Sequence, residues 1–136
     1  MNTNLYGKIT EVEILNYVIK KGLSVSIPFG DKDRYDQIWD INNKLYRIQI
    51  KTCHQRKDKQ GKLTNAIEFN CYSSSNGKRL VYSKKDIDFF ATYWNEKVYL
   101  IPVEECSLEK TLWFEQKPNI KSLAKNYDFE EVIKQL

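Results

Sequence analysis

Residues 36–53 read DQIWDINNKLYRIQIKTC, and the two asparagines in the middle decide how the rest is arranged. They separate two β-rich segments, Asp36–Ile41 and Lys44–Cys53. Asparagine tolerates positive φ, so an adjacent pair suits a two-residue hairpin turn. With Asn42 and Asn43 as the turn, Ile41 opposes Lys44 and opposed positions sum to 85. Asp36 then lies across from Gln49, where cross-strand Cβ atoms are about 4.5–5.5 Å apart. Side-chain alternation brings Lys51 out on the same face, one step further along. A one-residue slip would scatter these groups to opposite faces.

A carboxylate, an amide oxygen and an ammonium gathered at one end of a hairpin suit phosphodiester hydrolysis. Mg²⁺ takes oxygen ligands and is held by one or two carboxylates plus water and phosphate oxygens. It polarises a scissile phosphate and helps generate hydroxide from bound water. A neighbouring lysine can orient that water and offset developing negative charge. Glu11 lies on a predicted helix and would add a second carboxylate. Spacing by itself leaves other roles open. Asp36 can simply end a strand, Lys51 can be one more solvated lysine, and Glu11 can be an exposed helix residue beside Lys8.

Working outward, residues 7–21 read as an amphipathic helix with Ile9, Val12, Ile14, Val18 and Ile19 inward and Gly22 as the C-terminal cap. Leu23–Phe29 follows as a short β run, closed by Pro28 and the Gly30-Asp31 turn signal. Beyond the hairpin, His54–Thr64 has no apolar residue before Leu63 and reads as an exposed basic loop. Ala66–Tyr72 is a further strand, Ser73–Gly77 a polar loop, and Ile87–Trp94 and Lys97–Val103 two more strands. Ser83 suits the cap of a short turn, with Asp86 three residues on. Asp128 and Glu131 form an acidic version of the capping box for a last helix over 128–136. This order predicts an α/β fold built on a mixed sheet, in one domain spanning 1–136.

The chain has 136 residues, 41% hydrophobic and 29% charged, which suits a single globular domain. No apolar run approaches the roughly 18 residues a membrane span needs, and the first four residues lack the features of a signal peptide. Three cysteines, at 53, 71 and 106, with no CxxC pair fit reduced thiols and a cytoplasmic setting better than a disulfide framework. A single histidine argues against His-based triads and His-rich metal sites. Net charge is +4, but residues 51–85 carry nine Lys or Arg against two acids. That uneven distribution points to one face meant for a polyanion.

The stretch GKITEVEIL…GLSVSIPFGDKDRYDQIWDINNKLYRIQIKT resembles the PD-(D/E)XK nucleases, and within them the small homing endonucleases associated with group I introns. The likeness rests on Gly7 with Glu11, on Pro28-Phe29-Gly30-Asp31, on Arg34-Tyr35-Asp36 and on Tyr46–Thr52. It continues through Phe69-Asn70, Tyr82-Ser83, Asp86–Phe90 and Val98–Val103, about residues 7–103 in all. It implies a restriction-endonuclease-like core, a mixed sheet flanked by helices, and Mg²⁺-dependent cleavage of double-stranded DNA, with Mn²⁺ as an alternative ion. Asp36 would be the central metal-binding aspartate, Lys51 the catalytic lysine, Glu11 the helix glutamate, and Gln49 a further metal ligand. Gln49 stands where the superfamily usually has Asp or Glu, which leaves open weaker chemistry or a protein that binds without cutting. One active site per subunit implies a homodimer or homotetramer.

Arg56, Lys57, Lys59, Lys62, Asn76, Lys78 and Arg79 are the candidate DNA contacts. The lysines would meet phosphates, the arginines guanine, and Asn76, with Gln55, adenine. His54 lies three residues from Lys51 but has no evident partner in the sequence. Trp39, Trp94, Tyr99 and Trp113 are expected to pack in the core or an interface, and Cys53 and Cys71 to act as small core hydrophobes. A site-specific homing or mobile-element endonuclease leads these readings. A junction resolvase or restriction-type nuclease on the same core, or an inactive DNA-binding protein, are the alternatives. Residues 104–136 carry no functional assignment.

Overall fold

The computed structural model describes residues 2–116, 118–120 and 122–136. An N-terminal helix, α1 (Thr3–Lys20), is followed by strands β1 (Ser24–Ser26), β2 (Gln37–Ile41) and β3 (Lys44–Ile50). Then come β4 (His54–Lys57), β5 (Leu63–Asn70), β6 (Tyr72–Ser75), β7 (Lys78–Val81), β8 (Phe89–Trp94), β9 (Lys97–Pro102), β10 (Glu109–Trp113) and a short helix, α2 (Phe129–Ile133). The central sheet has the order β1-β2-β3-β8-β9. It is mixed, because β3 and β8 run parallel while the other pairs are antiparallel.

The Asn42-Asn43 turn forms as expected, with φ of 54° and 67°. Register follows from it: Ile41 pairs with Lys44 and Gln37 with Ile48. Alternation along these strands then gives the sheet two apolar faces. On one, Trp39, Ile41, Tyr46, Ile48, Ile50, Phe89 and Leu100 pack against Ile14 and Val18 of α1 and Phe129 and Val132 of α2. On the other, Phe90, Ile101 and Val103 meet Ile67 and Phe69 of β5 and Leu112 of β10. The mixed sheet thus carries both helices on one face and a second, three-stranded sheet of order β10-β5-β4 on the other.

Several local expectations need correction. Helix α1 starts at Thr3 rather than residue 7, because the Asn2 side chain accepts from Leu5 N at 2.8 Å and caps it. Its end was legible: Gly22, at φ 90°, donates to Ile19 O while Leu23 donates to Val18 O, the paired bonds of a Schellman motif. Its buried face is Thr10, Ile14 and Val18, whereas Ile9, Val12 and Ile19 are exposed. Apolar residues on both sides of the helix left its inward stripe ambiguous. Only Ser24–Ser26 of the Leu23–Phe29 run pairs, as the edge strand on β2.

The segment His54–Thr64 is not a loop throughout. His54–Lys57 is a strand paired with β5, which begins at Leu63. The four polar residues of β4 have no apolar patterning to reveal them and become a strand by pairing with β5. Ser73–Gly77 likewise lies in a β6–β7 ribbon closed by Asn76-Gly77, with φ of 51° and 76°. That dipeptide is a strong hairpin signal, hidden by the serine-rich β6 and the fully exposed β7 on either side of it. The Asp128 side chain caps α2 through Glu130 N, while Glu131 bonds Lys134, so the reciprocal capping box is not made. Trp39 and Tyr99 are buried as expected, and Cys71 is too. No helix among the described residues is long and apolar enough to cross a membrane.

Candidate active site

At the end of β3 the chain crosses from one apolar face to the other. Lys51 is locked there by its backbone, with Lys51 N donating to Ala91 O at 2.9 Å and Thr92 Oγ1 donating to Lys51 O at 2.7 Å. Across the hairpin the ladder ends at Gln37 and Ile48, and Asp36 N donates to the same Ile48 O at 2.8 Å. The Asp36 carboxylate accepts from Ile50 N at 2.8 Å. Hydrogen bonding orients the Gln49 amide with its nitrogen towards Arg34 O, at 2.8 Å, and Asp36 Oδ2, at 3.2 Å. Asp36 and Gln49 are therefore in contact, and Lys51 lies on their side of the sheet.

Glu11 reaches this corner from α1. Thr10 Oγ1 lies 2.9 Å from Thr52 Oγ1, which pins the helix to the residue after Lys51. The same hydroxyl donates to Tyr6 O at 2.9 Å, so the proton shared between the two threonines comes from Thr52.

Charge at the corner is unbalanced. Burial pushes the Asp36 carboxyl above its ordinary value, against the pull of the Ile50 N–H and the Lys51 charge. Partial burial, and then the negative charge of Asp36, raises Glu11, although that residue remains exposed overall. Among the described residues neither carboxylate forms an ion pair. Burial lowers Lys51, whose Nζ donates to Asn70 Oδ1 at 2.9 Å and to Tyr72 O at 2.7 Å and lies 5.7 Å from the Tyr82 ring centre. Two carboxylates held near one another, with no protein cation on either, are an environment that a bound divalent ion relieves.

The donor set fits such an ion. Two carboxylates and one amide oxygen are hard ligands, and Mg²⁺ completes its shell with water and phosphate. Among the described residues no group of three or more His, Cys, Asp or Glu side chains is placed to hold a metal, so an all-carboxylate or thiolate cage is not the arrangement here. Gln49, as it stands, spends its amide nitrogen on Asp36. Presenting its oxygen to a cation takes a half-turn of the terminal amide, a broad and soft torsion.

The candidate DNA contacts lie on two elements that flank this corner. Arg56, on β4, is held by Glu68 at 3.6 Å and sits 5.5 Å from the Trp113 ring. Lys57, Lys59 and Lys62 are exposed around the β4–β5 turn. Asn76 and Lys78 are exposed at the tip of the β6–β7 ribbon, and Arg79 lies over the Tyr72 ring at 4.7 Å. None of these is brought into contact with Asp36 or Gln49. His54 does have a partner, Glu68 Oε1 at 3.1 Å. Both line a cavity of about 210 Å³ with Thr52, Asn70 and Tyr72, beside the Lys51 ammonium. A larger cavity of about 550 Å³, bordered by Lys97, Tyr99, Phe114 and Asp128, contains none of the candidate site residues.

Four residues of the corner were given no role in the sequence, although Arg34, Asn70 and Tyr82 belong to the motifs that carry the family likeness. Arg34 donates to Val81 O, Leu80 O, Ser73 Oγ and Asp86 Oδ2, at 2.8, 2.9, 3.1 and 3.0 Å, and stacks on Tyr82 at 3.8 Å. Tyr82 and Asn70 cradle Lys51, and Thr10 carries the link to Thr52. Thr10 stands in the i, i+4, i+8 row with Ile14 and Val18, but the apolar residues on the other side of α1 masked that row. The others are brought in by contacts distant in sequence.

A family described as PD-(D/E)XK endonuclease matches residues 1–129. A solved structure described as a bacterial homing endonuclease, I-Ssp6803I, superposes with a TM-score of 0.77 at 23% identity, covering 99% of this chain and 95% of that one. No curated protein matches the sequence. The family match, over a chain whose fold is shared with that nuclease, establishes that this protein belongs to the PD-(D/E)XK endonucleases.

Proposed function

We propose that this protein is a Mg²⁺-dependent endonuclease that cuts duplex DNA at a specific site, of the homing or mobile-element type. The observation that carries the reading is the unneutralised pair of carboxylates, Glu11 and Asp36, placed beside Gln49 and near Lys51. Asp36, Glu11 and, after rotation of its amide, Gln49 would hold the ion, with Mn²⁺ as an alternative. When bound, Mg²⁺ supplies Lewis-acid polarisation of the scissile phosphate and acidifies its bound water. Lys51 offers a compact, partly desolvated cation to charge developing on the phosphate, in surroundings where such an interaction is worth more than in water. Ile50 N–H and Gln49 hold Asp36 in place, and the Thr10–Thr52 bond holds the helix that carries Glu11.

One site per chain and two strands to cut call for at least two chains. The outward stripe of α1, with Leu5, Ile9, Val12 and Ile19 exposed, supports such association. Likeness in fold to a homing endonuclease supports the site-specific form. A second reading, a protein that binds DNA without cutting it, is favoured by the neutral Gln49 and by the engagement of its nitrogen with Asp36.

Cleavage of a supercoiled plasmid library carrying random genomic inserts separates the two, with Mg²⁺ and with Mn²⁺ and with Lys51→Ala alongside. Metal-dependent linear product from the wild type, lost in the variant, is the expected result. Binding without cleavage in either metal would leave the second reading standing and remove the first.

A further inference from the structure

The β6–β7 ribbon has little apolar anchorage. Every residue of β7 is exposed, and no described strand other than β6 pairs with it. An element so built should move easily relative to the sheet, yet it carries Asn76, Lys78 and Arg79. What fastens it is polar and converges on Arg34. The fork of that guanidinium takes the backbone carbonyls of Leu80 and Val81 on one strand of the ribbon and the Ser73 hydroxyl on the other. It is braced from behind by Asp86 at 3.0 Å and by the Tyr82 ring at 3.8 Å. Five donors in a rigid plane make this arrangement specific to arginine.

The other end of Arg34 faces the catalytic corner. Its carbonyl accepts from the Gln49 amide at 2.8 Å, and only Tyr35 separates it from Asp36. Lys51 makes a parallel connection, its ammonium donating to Tyr72 O at the first residue of β6. The ribbon is thus tied to the corner from both sides, and Arg34 supplies most of the bonds.

We infer that Arg34 is a positioning residue for cleavage: its guanidinium fixes the β6–β7 ribbon to the strand end bearing Asp36 and Gln49, so that DNA held by the ribbon meets that pair in register. This rests on the endonuclease reading above. A residue in this role acts on the rate at saturating DNA more than on affinity, because the phosphate-contacting side chains are untouched. A residue at the ribbon tip acts the other way round.

The test uses the full chain and the duplex recovered from the plasmid library. Arg34→Met and Arg34→Lys are compared with Lys78→Ala in single-turnover cleavage at saturating protein, and in equilibrium binding without divalent metal. Misplacing the reacting atoms by about 1 Å costs on the order of 100-fold. Arg34→Met should lose rate on that scale while its Kd changes less than about 3-fold, and Arg34→Lys, keeping charge without the fork, should fall between it and wild type. Lys78→Ala, at the ribbon tip, should weaken binding by more than either Arg34 variant does. If Arg34→Met does not fold, as judged by thermal denaturation, the Lys variant alone carries the comparison. Wild-type rates in the Arg34 variants, or a loss that merely tracks Kd, would overturn the inference. A wild-type protein that binds but cuts nothing would instead remove the endonuclease reading, and the role of Arg34 with it.

Discussion

The link between Thr10 and Thr52 makes a quantitative prediction, because the two hydroxyls do unequal things. Thr10 is nearly buried and gives its proton to Tyr6 O, so it can only accept from Thr52, which is exposed. Thr10→Val removes both of its hydrogen bonds, but the stranded Thr52 hydroxyl can turn to water. The cost therefore falls at the modest end for a lost hydrogen bond, about 1 kcal/mol rather than the 2–3 kcal/mol of a buried orphan. In a chain of this size that lowers Tm by about 3–5 °C. Thr52→Val leaves the Thr10 donor satisfied and should cost less than about 0.5 kcal/mol. Cleavage responds differently, since either change loosens the turn of α1 that bears Glu11. Both variants should lose about 10-fold to 100-fold in single-turnover rate, far more than the stability change implies. Urea denaturation and cleavage of the recovered duplex measure the two quantities side by side. A Thr52→Val variant less stable than Thr10→Val would show the proton assignment to be wrong. Unchanged cleavage in both would show that Glu11 is not held for catalysis by this bond.

The raised carboxyls of Asp36 and Glu11 make metal-free stability depend on pH in a definite direction. A folded-state value above the unfolded one means that the favourable contribution is complete below the unfolded value and is lost as pH rises through the folded one. Asp36→Asn should therefore flatten the decline in stability from acid to neutral pH and raise Tm at pH 7, while abolishing the stabilisation that added Mg²⁺ gives the wild type; thermal melts at several pH values, with and without Mg²⁺, check both. Lys51→Ala should reduce cleavage by at least about 100-fold with DNA affinity largely kept, as expected for a group acting on developing charge; a gel-shift titration beside the cleavage assay separates the two. Replacing Lys57, Lys59 and Lys62 together by alanine should reduce the slope of log K against log salt by up to about 3, if all three meet phosphates; an unchanged slope would take the β4–β5 turn off the DNA.

Much of the catalytic corner was legible because it depends on a local device. Two adjacent asparagines select one turn, the turn selects the register, and a period of two in the side chains does the rest. Asp36, Gln49 and Lys51 could thus be brought together from a stretch of 16 residues, and the observed register follows that reading from Ile41 and Lys44 as far as Gln37 and Ile48. The end of α1 was equally local, written in Gly22 and closed by the backbone bonds of Gly22 and Leu23. By contrast α1 itself carries apolar residues on both sides, so nothing in its periodicity said that Thr10 faces inward and Val12 outward. The strand His54–Lys57 was unreadable for a similar reason, since four polar residues become a strand only when β5 offers them a ladder.

What the sequence determined alone, then, was the hairpin and the face on which its polar groups emerge, because turn chemistry and strand alternation act between neighbours. Tertiary structure decided which groups complete that face. The approach of Glu11 through Thr10, the seating of Lys51 on Asn70 and Tyr72, and the clamp of Arg34 on the ribbon all join residues from 19 to 47 positions apart. Such contacts are set by how two sheets and a helix pack about a shared strand end, and no local pattern encodes them.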